Sequence, residues 1–597
     1  MPRALVLVLL ATWLVFAQGV AYGVAIYDGK AYPVEVEVRV GPGNGTVEIK
    51  GLWYYDETFR ISTISACWEA AIAAGLDPFA YNYTVVVEPL NGSRALVGTS
   101  LSLAVAAATY SALTNKPINA SIMFTGTVAP GGVVDFVGGL VEKAIGARQY
   151  GFKLFVYPVL QHNDYKIIMK PKLYGVYGTL VETFQITPLA LAQIIPIAEV
   201  GNLYQAAALA TDAPYNLTAN LVQFDTKAWR ILNTSNPSAE KALLYEIYLY
   251  YNKSLYLLKT RPEYATTLLQ RTSTALSYVQ ISKNYTATAT EALPRALSEI
   301  LVAYFYVRIL TSPGEATREI YTYLDALQTV VTRLNKTAML CDDAYAHMYI
   351  HLGEILKTQG DRSLASFLLL GYPELAAEAA YFYSQAAYAL WKAALYLSTP
   401  SEWQYDVNQT LAAYKRYVEY AVNYADLYSK ATDVISPQLV GNALLNYFRG
   451  ASAERSSNLK AALGYYIEAL THALTYFAIH PAFPNTTAVK YVQYLDTLSH
   501  LLNDNSTVIK ENLALASLAQ LNETRVLYLA RAHACLLAEK WANATPHYSE
   551  LHSQDFKLPN KPKPPEGDYT PWILATAILA AAFFTIQTRR LIQNVHK

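Results

Sequence analysis

Residues 96–143 constrain the fold more than any other part of the sequence. An apolar run of small residues, 101–114, has no internal glycine or proline and predicts a buried helix that begins just after a hydroxyl, Ser100. Residues 124–128 read as a strand end. Gly138 and Gly139 then turn the chain into a second helix that carries Lys143 near its start. A serine and a lysine are thus each placed at the beginning of a helix.

Serine and lysine in this arrangement form a candidate catalytic pair. The hydroxyl of Ser100 is a weak nucleophile until a base removes its proton, and a lysine can do this only when neutral, with a pKa lowered from about 10.4 to about 7 to 8. Burial beside apolar residues such as Leu140 acts in that direction. Thr125 could hold the amine, and Gly98 would let a substrate carbonyl approach the backbone N–H groups at Ser100. A simpler interpretation makes Ser100 a helix N-cap and Lys143 a surface lysine.

The order of these motifs resembles the proteolytic domain of the Lon proteases. The shared features are G-x-S at Gly98, an Ala-rich helix ending in Ser-Ala-Leu-Thr, T-G at Thr125, P-x-G-G and G-G-L-x-E-K. The resemblance implies that Ser100 is the nucleophile, that Lys143 is its general base and that Thr125 lies beside the lysine. It covers about a third of the chain, to about Ile197. It also implies polypeptide substrates and a homo-oligomer, a hexameric ring.

The sequence departs from the Lon pattern around the nucleophile. Pro-Ser-Ala-Gly is replaced by Thr99-Ser100-Leu101-Ser102, and Val97 stands where an acidic residue is common. The bulkier residues predict a tighter pocket and leave the substrate preference open. Ser102 is a second hydroxyl that mutagenesis has to separate from Ser100.

Composition excludes some functions. Lys plus Arg and Asp plus Glu number 46 each, so no basic footprint for nucleic acid is present. The 53% of hydrophobic residues and the 49 tyrosines among 597 residues indicate a globular, helix-rich chain of two to four domains. The sequence has no G-x-x-x-x-G-K-[ST] motif, which predicts that no ATP is bound and that proteolysis is ATP-independent. No cofactor is predicted.

Both termini indicate export and a membrane anchor. A basic start, an apolar core and small residues up to Gly23 predict a signal peptide, with an uncleaved anchor as the alternative. Apolar residues 571–588 followed by Arg589 and Arg590 predict a transmembrane helix with a cytoplasmic tail. Fourteen N-x-S/T sequons, from Asn44 to Asn543, are typical of a glycoprotein, and together with few cysteines they suggest an archaeal cell-surface protein.

The predicted fold class is an α+β Lon-like protease domain followed by a large all-α bundle or solenoid-like region and a C-terminal transmembrane helix. Strict alternation over 34–40 and a glycine-rich turn into 46–49 predict a β-hairpin. Proline breaks beyond residue 202 predict antiparallel helix pairs. The predicted segments are a signal peptide (1–23), a protease domain (24–201), an α-helical domain (202–556), a Pro-rich linker (557–570), a transmembrane helix (571–588) and a cytoplasmic tail (589–597).

These features predict a membrane-anchored extracytoplasmic serine endopeptidase. Two alternatives stay open. The first is an inactive Lon-like surface scaffold or receptor whose helical domain binds partners. The second is a metal enzyme centred on His347 and His351, which share a helix face, although Met348 stands where a zinc protease needs glutamate. Cys67 is expected to pack in a helix. Cys341 and Cys535 complete an odd, widely spaced set in which one disulfide pair is possible.

Overall fold

The computed structural model describes residues 17–159, 161, 163–172, 176–185, 187–211, 237–284, 289–334, 340–397, 406–432, 437–479, 506–519 and 522–543. All of them belong to one compact unit, Met1–Thr545. The predicted linker, transmembrane helix and cytoplasmic tail lie outside the described residues, as do the first 16 residues of the predicted signal peptide. Among the described helices, none combines the length and the apolar character needed to cross a membrane.

A seven-stranded mixed sheet forms the N-terminal domain, in the order β13-β10-β7-β1-β2-β5-β3. The strands in chain order are β1 (Ala17–Tyr27), β2 (Lys30–Pro42), β3 (Val47–Lys50), β4 (Tyr54–Tyr55), β5 (Tyr81–Pro89), β6 (Ala95–Leu96), β7 (Ile122–Phe124), β8 (Thr127–Ala129), β9 (Val133–Asp135), β10 (Leu154–Pro158), β11 (Asn163–Lys172), β12 (Val176–Gln185) and β13 (Ile197–Val200). Three two-stranded ribbons, β11-β12, β4-β6 and β8-β9, accompany the large sheet.

The helices of this domain pack on the sheet and position the candidate site. They are α1 (Glu57–Ala73), α2 (Ser102–Thr114), α3 (Leu140–Gln149), α4 (Pro188–Ile194) and α5 (Leu203–Ala210). The predicted helix at 101–114 agrees closely with α2, which lies against β1 and α1. A core around β10 and α3 includes Phe155, Leu140 and Ala144. The described domain combines a mixed sheet with helices, which is consistent with the predicted α+β domain.

The first strand occupies residues that the sequence analysis assigned to the signal peptide. Residues 17–23 pair with β2, and Tyr22 and Gly23 also pair with β7, so they lie in the middle of the sheet. The glycines in this segment, which contributed to the predicted cleavage site, are needed for packing. A Cβ on Gly19 would lie 2.0 Å from the carbonyl oxygen of Ala108, and one on Gly23 would lie 2.1 Å from Leu101. Only glycine lets α2 approach β1 this closely.

The prediction that residues 34–40 and 46–49 form a hairpin is wrong. β2 pairs antiparallel with β1 on one side and with β5 on the other, and β3 pairs in parallel with β5. The true hairpin joins β1 to β2 through Asp28 and Gly29, which both have positive φ, as a type I′ turn requires. The glycine-rich segment after β2 is therefore a loop that passes over the end of β5.

From residue 237 onward the described secondary structure is helical, which agrees with the prediction. The helices are α6 (Pro237–Thr260), α7 (Ala265–Asn284), α8 (Ala289–Thr311), α9 (Pro313–Arg333), α10 (Leu340–Leu370), α11 (Pro373–Leu397), α12 (Val407–Thr432), α13 (Pro437–Arg455), α14 (Leu459–Ile479), α15 (Thr507–Leu518) and α16 (Asn522–Asn543). Neighbours in sequence such as α10 and α11, or α13 and α14, pack against each other. α12 also contacts α1 of the N-terminal domain.

Tyrosine hydroxyls in the helical region bind carboxylates across helix contacts. Tyr396 donates to Glu511 at 2.6 Å, and Tyr383 donates to Asp361 at 2.8 Å. Lys392, itself buried, bridges Glu291 and Glu511 at 2.9 and 3.0 Å. The tyrosine-rich composition therefore supplies polar links within an apolar core, where each buried charge needs a partner.

Candidate active site

Ser100 lies in the turn between β6 and α2. The helix begins at Ser102 and its N-cap is Leu101, which makes no side-chain cap, so Ser100 is not the helix cap that the simpler interpretation required. Its side chain is partly exposed. The carbonyl of Ser100 accepts the N–H of Gly126 at 3.0 Å, which ties the turn to the segment between β7 and β8.

Gly98 and Asp56 shape the start of this turn. Gly98 has φ +88, a conformation that favours glycine, and its N–H donates to Asp56 Oδ1 at 3.1 Å. The same carboxylate caps α1 by accepting the N–H of Phe59 at 3.0 Å. The N–H of Gly98 therefore faces Asp56. That Gly98 lets a substrate carbonyl approach closely stays a prediction. Sequence reasoning missed Asp56, although an aspartate directly before the start of a helix is a recognisable N-cap.

Lys143 is buried on the first turn of α3. Gly139 precedes the helix with φ +67, and the lysine side chain is 3% exposed, so it is not the surface lysine of the simpler interpretation. The neighbouring core is apolar and includes Leu140, Ala144 and Met123. The amine donates a hydrogen bond to Thr125 Oγ1 at 3.3 Å. The structure thus brings together two of the three predicted catalytic residues by a direct contact.

Thr125 connects the lysine to the nucleophile turn. It is fully buried, and its N–H donates to the carbonyl of Val156 on β10 at 2.9 Å, which fixes it to the sheet. Its hydroxyl donates to the carbonyl of Ser100 at 3.4 Å while it accepts the amine of Lys143. Thr125 therefore contacts both other predicted residues, and each of these contacts joins segments that are separated in sequence.

Ser102 has a different environment from Ser100. Its hydroxyl is 1% exposed, accepts the N–H of Val128 at 2.8 Å and donates to the carbonyl of Thr99 at 2.8 Å. Thr99 in turn contacts the hydroxyl of Thr127 at 2.7 Å. These bonds hold β8 against the nucleophile turn. The second hydroxyl that the sequence raised is thus engaged inside the protein and inaccessible to substrate.

The three cysteines and the two candidate metal-binding histidines lie outside the Ser100 turn. Cys67 is buried in α1, where Thr109 donates to its sulfur at 3.7 Å and burial raises the pKa of its thiol to about 12. Cys341 and Cys535 are also buried, and neither forms a disulfide bond. His347 lies 3.4 Å from Asp343, and His351 lies 3.1 Å from the hydroxyl of Tyr465. In the part of the chain that the structure describes, no group of three or more potential ligands could hold a metal ion.

Comparison with known proteins shows that part of the chain resembles a known proteolytic domain. Residues 16–179 match the Lon protease (S16) C-terminal proteolytic domain. These residues are therefore similar to a Lon-type proteolytic domain.

Individual relatives agree with this class. The chain is 31% identical to the Lon protease of Halothermothrix orenii over 153 aligned residues. These residues cover 25% of this chain and 19% of that protein. The chain is 29% identical over 171 residues to Lon protease 2 of Thermus thermophilus (28% and 20%) and 25% identical over 148 residues to the archaeal Lon protease of Thermoplasma volcanium (24% and 22%). The chain thus spans about a fifth of the length of these relatives.

Proposed function

We propose that this chain is a membrane-anchored serine endopeptidase that works outside the cytoplasm, without ATP, on exposed or unfolded polypeptides. The observation that carries the proposal is the contact of the buried Lys143 amine with Thr125, which also reaches the carbonyl of Ser100. Two residues of a serine–lysine mechanism are thereby linked through a third. The match of residues 16–179 to a Lon-type domain supports the same chemistry.

In the proposed reaction Ser100 is the nucleophile. Its oxygen bonds to the carbonyl carbon of the substrate while its proton moves to the neutral amine of Lys143. The proposed step requires the amine of Lys143 to be neutral before the attack. Lys143 then gives the proton to the amine that departs as the peptide C–N bond breaks. A water that Lys143 deprotonates bonds to the acyl carbon, and Lys143 returns the proton to the Ser100 oxygen as the ester C–O bond breaks. Thr125 orients the lysine, and backbone N–H groups at Ser100 face the developing oxyanion.

Export and anchoring are proposed from the termini of the sequence. The apolar residues at the start would direct the chain across a membrane, and residues 571–588 would anchor it, with a short cytoplasmic tail. Because β1 begins at Ala17, we place the end of the signal peptide at or before that residue. The absence of a P-loop motif from the sequence supports action on chains that need no unfolding motor.

The proposal is tested with unfolded casein as substrate and with a fluorophosphonate that labels reactive serines. Ser100→Ala and Lys143→Ala are expected to abolish both hydrolysis and labelling, with labelling mapped to Ser100 by peptide mass analysis. Lys153→Ala, which removes an exposed lysine near the same domain core, is the matched control and should retain both. Equal activity in wild type and all variants would reject the dyad. A wild-type protein that neither cleaves nor labels would favour an inactive surface scaffold.

A further inference from the structure

Helix α12 places a buried tyrosine between two parts of the protease domain. The hydroxyl of Tyr417 accepts the N–H of Gly131 at 3.2 Å and donates to the carboxylate of Glu69 on α1. Tyr417 is 0% exposed and Glu69 is 3% exposed. One hydroxyl of the helical region thus joins α1 to the turn of the β8–β9 hairpin.

The surrounding contacts keep α12 in place on α1. Arg416 lies over the rings of Phe79 and Trp68, at 4.9 and 5.7 Å, and donates to the carbonyl of Asn44. Tyr420 packs edge-on against Trp68 with ring centroids 5.0 Å apart. Because aromatic and guanidinium contacts of this kind are directional, they fix the rotation of α12 and therefore the position of the Tyr417 hydroxyl.

The hairpin turn fits closely against the helical region. Gly131 has φ +87, and a Cβ added there would lie 3.1 Å from Leu474 on α14 and 3.3 Å from His533 on α16. The next residue, Gly132, accepts the N–H of Leu203 at 2.9 Å through its carbonyl. The turn is thus held by the protease domain on one side and by three helices of the helical region on the other.

The same hairpin holds the turn that presents Ser100. Thr127 on β8 contacts the hydroxyl of Thr99 at 2.7 Å, and Val128 donates its N–H to Ser102 at 2.8 Å. Thr99 directly precedes Ser100, and Ser102 begins α2. A displacement of β8 would therefore move Thr99 and Ser102, which lie one residue before and two residues after the nucleophile.

We propose that Tyr417 is a positioning residue for the nucleophile: its hydroxyl fixes the β8–β9 hairpin against α1 and thereby fixes the turn that carries Ser100. The helical region is then part of the active-site support, in addition to any role it has in binding partners. The inference rests on the proposed function of Ser100 and adds a residue that lies outside the matched residues 16–179.

The test uses Tyr417→Phe in the full chain, which removes only the hydroxyl. We expect the rate of fluorophosphonate labelling at Ser100 to fall by about tenfold, since the hydrogen bonds of the hydroxyl to Glu69 and Gly131 are lost. We also expect faster amide hydrogen exchange in peptides from residues 126–136. Tyr424→Phe is the matched control, because Tyr424 is equally buried on α12 and none of the described groups hydrogen-bonds its hydroxyl. It should change neither readout.

Variants of Glu69 separate positioning from general packing. Glu69→Gln keeps an acceptor for the Tyr417 hydroxyl and should retain near wild-type labelling, whereas Glu69→Ala should behave like Tyr417→Phe. Wild-type labelling and exchange in Tyr417→Phe would overturn the inference and leave the proposed peptidase intact. Equal losses in Tyr424→Phe would overturn it as well. If the wild type does not label but Tyr417→Phe still speeds exchange in the hairpin, the proposed peptidase fails and the structural link stands.

Discussion

The amine of Lys143 donates a hydrogen bond to Thr125 Oγ1 across 3.3 Å, and both side chains are buried. Thr125 also donates to the carbonyl of Ser100 at 3.4 Å. One threonine hydroxyl therefore sets the position of the proposed base relative to the backbone of the proposed nucleophile. Its removal affects geometry without changing any charge.

Thr125→Val should reduce kcat on a casein-derived peptide by about tenfold or more, because a hydrogen bond that aligns a proton acceptor is lost while the side-chain volume is kept. Thr125→Ser retains the hydroxyl and should recover most of the activity. The measurement is a steady-state comparison of kcat and KM for the three proteins. A change confined to KM would assign Thr125 to substrate binding and contradict its orienting role.

Ser102→Ala should lower stability and leave the chemistry in place. The substitution leaves the N–H of Val128 without its acceptor in a buried position, which costs about 1 to 3 kcal/mol. Urea unfolding measures this loss, and fluorophosphonate labelling below the transition should still map to Ser100. Loss of labelling with unchanged stability would mean that Ser102 itself takes part in the reaction.

Glu69 makes the stability of the domain contact depend on pH. Burial raises the pKa of Glu69 to about 7, although the hydroxyl of Tyr417 opposes this shift. Because the folded protein then binds a proton that the unfolded chain releases above its own pKa of about 4.5, the free energy of unfolding falls as the pH rises through this window. The contribution present at pH 4.5 and below is lost once the pH exceeds about 7.

Glu69→Gln removes this dependence. Relative to the variant, the wild type should lose up to about 3 kcal/mol between pH 4.5 and pH 8. Urea unfolding of both proteins at unit steps of pH measures the difference, and other titrating groups cancel in the comparison. Parallel curves for the two proteins would show that Glu69 has the same pKa in the folded and unfolded chains.

A chain that starts at Ala17 should fold, and a chain that starts at Val24 should not. The first retains all of β1, whereas the second lacks the residues that pair with the C-terminal half of β2 and with β7 at Tyr22 and Gly23. Removing half of a central strand exposes backbone groups and the apolar face of α2. Circular dichroism during heating distinguishes a cooperative transition from its absence. Equal transitions in both would place β1 outside the folded core.

Local sequence was sufficient for several elements and for the resemblance to a Lon-type domain. The Ala-rich run after Ser100 forms α2 because small residues without glycine or proline favour a buried helix, and the two glycines before Leu140 turn the chain into α3. The order of Gly98, Ser100, Thr125 and Lys143 was enough to predict a Lon-type domain, to which residues 16–179 match. Their catalytic roles stay predictions.

Strand pairing could not be read from local pattern. Residues 34–40 and 46–49 alternate as strands, yet β5 lies between them, because pairing is decided by which apolar faces fit together across the whole sheet. Local pattern likewise could not show that the small residues within 17–23 pack against α2, and it therefore indicated a cleavage site there.

The sequence by itself determined the kinds of elements, the change from an α+β domain to a helical region, and the residues that are proposed for serine–lysine chemistry. Only the tertiary structure decided that Ser102 is buried, that Asp56 fixes Gly98, and that Tyr417 of the helical region reaches the hairpin beside Ser100. The reason is physical. Propensity and periodicity act over a few residues, whereas burial and hydrogen bonds join segments that lie up to 372 positions apart.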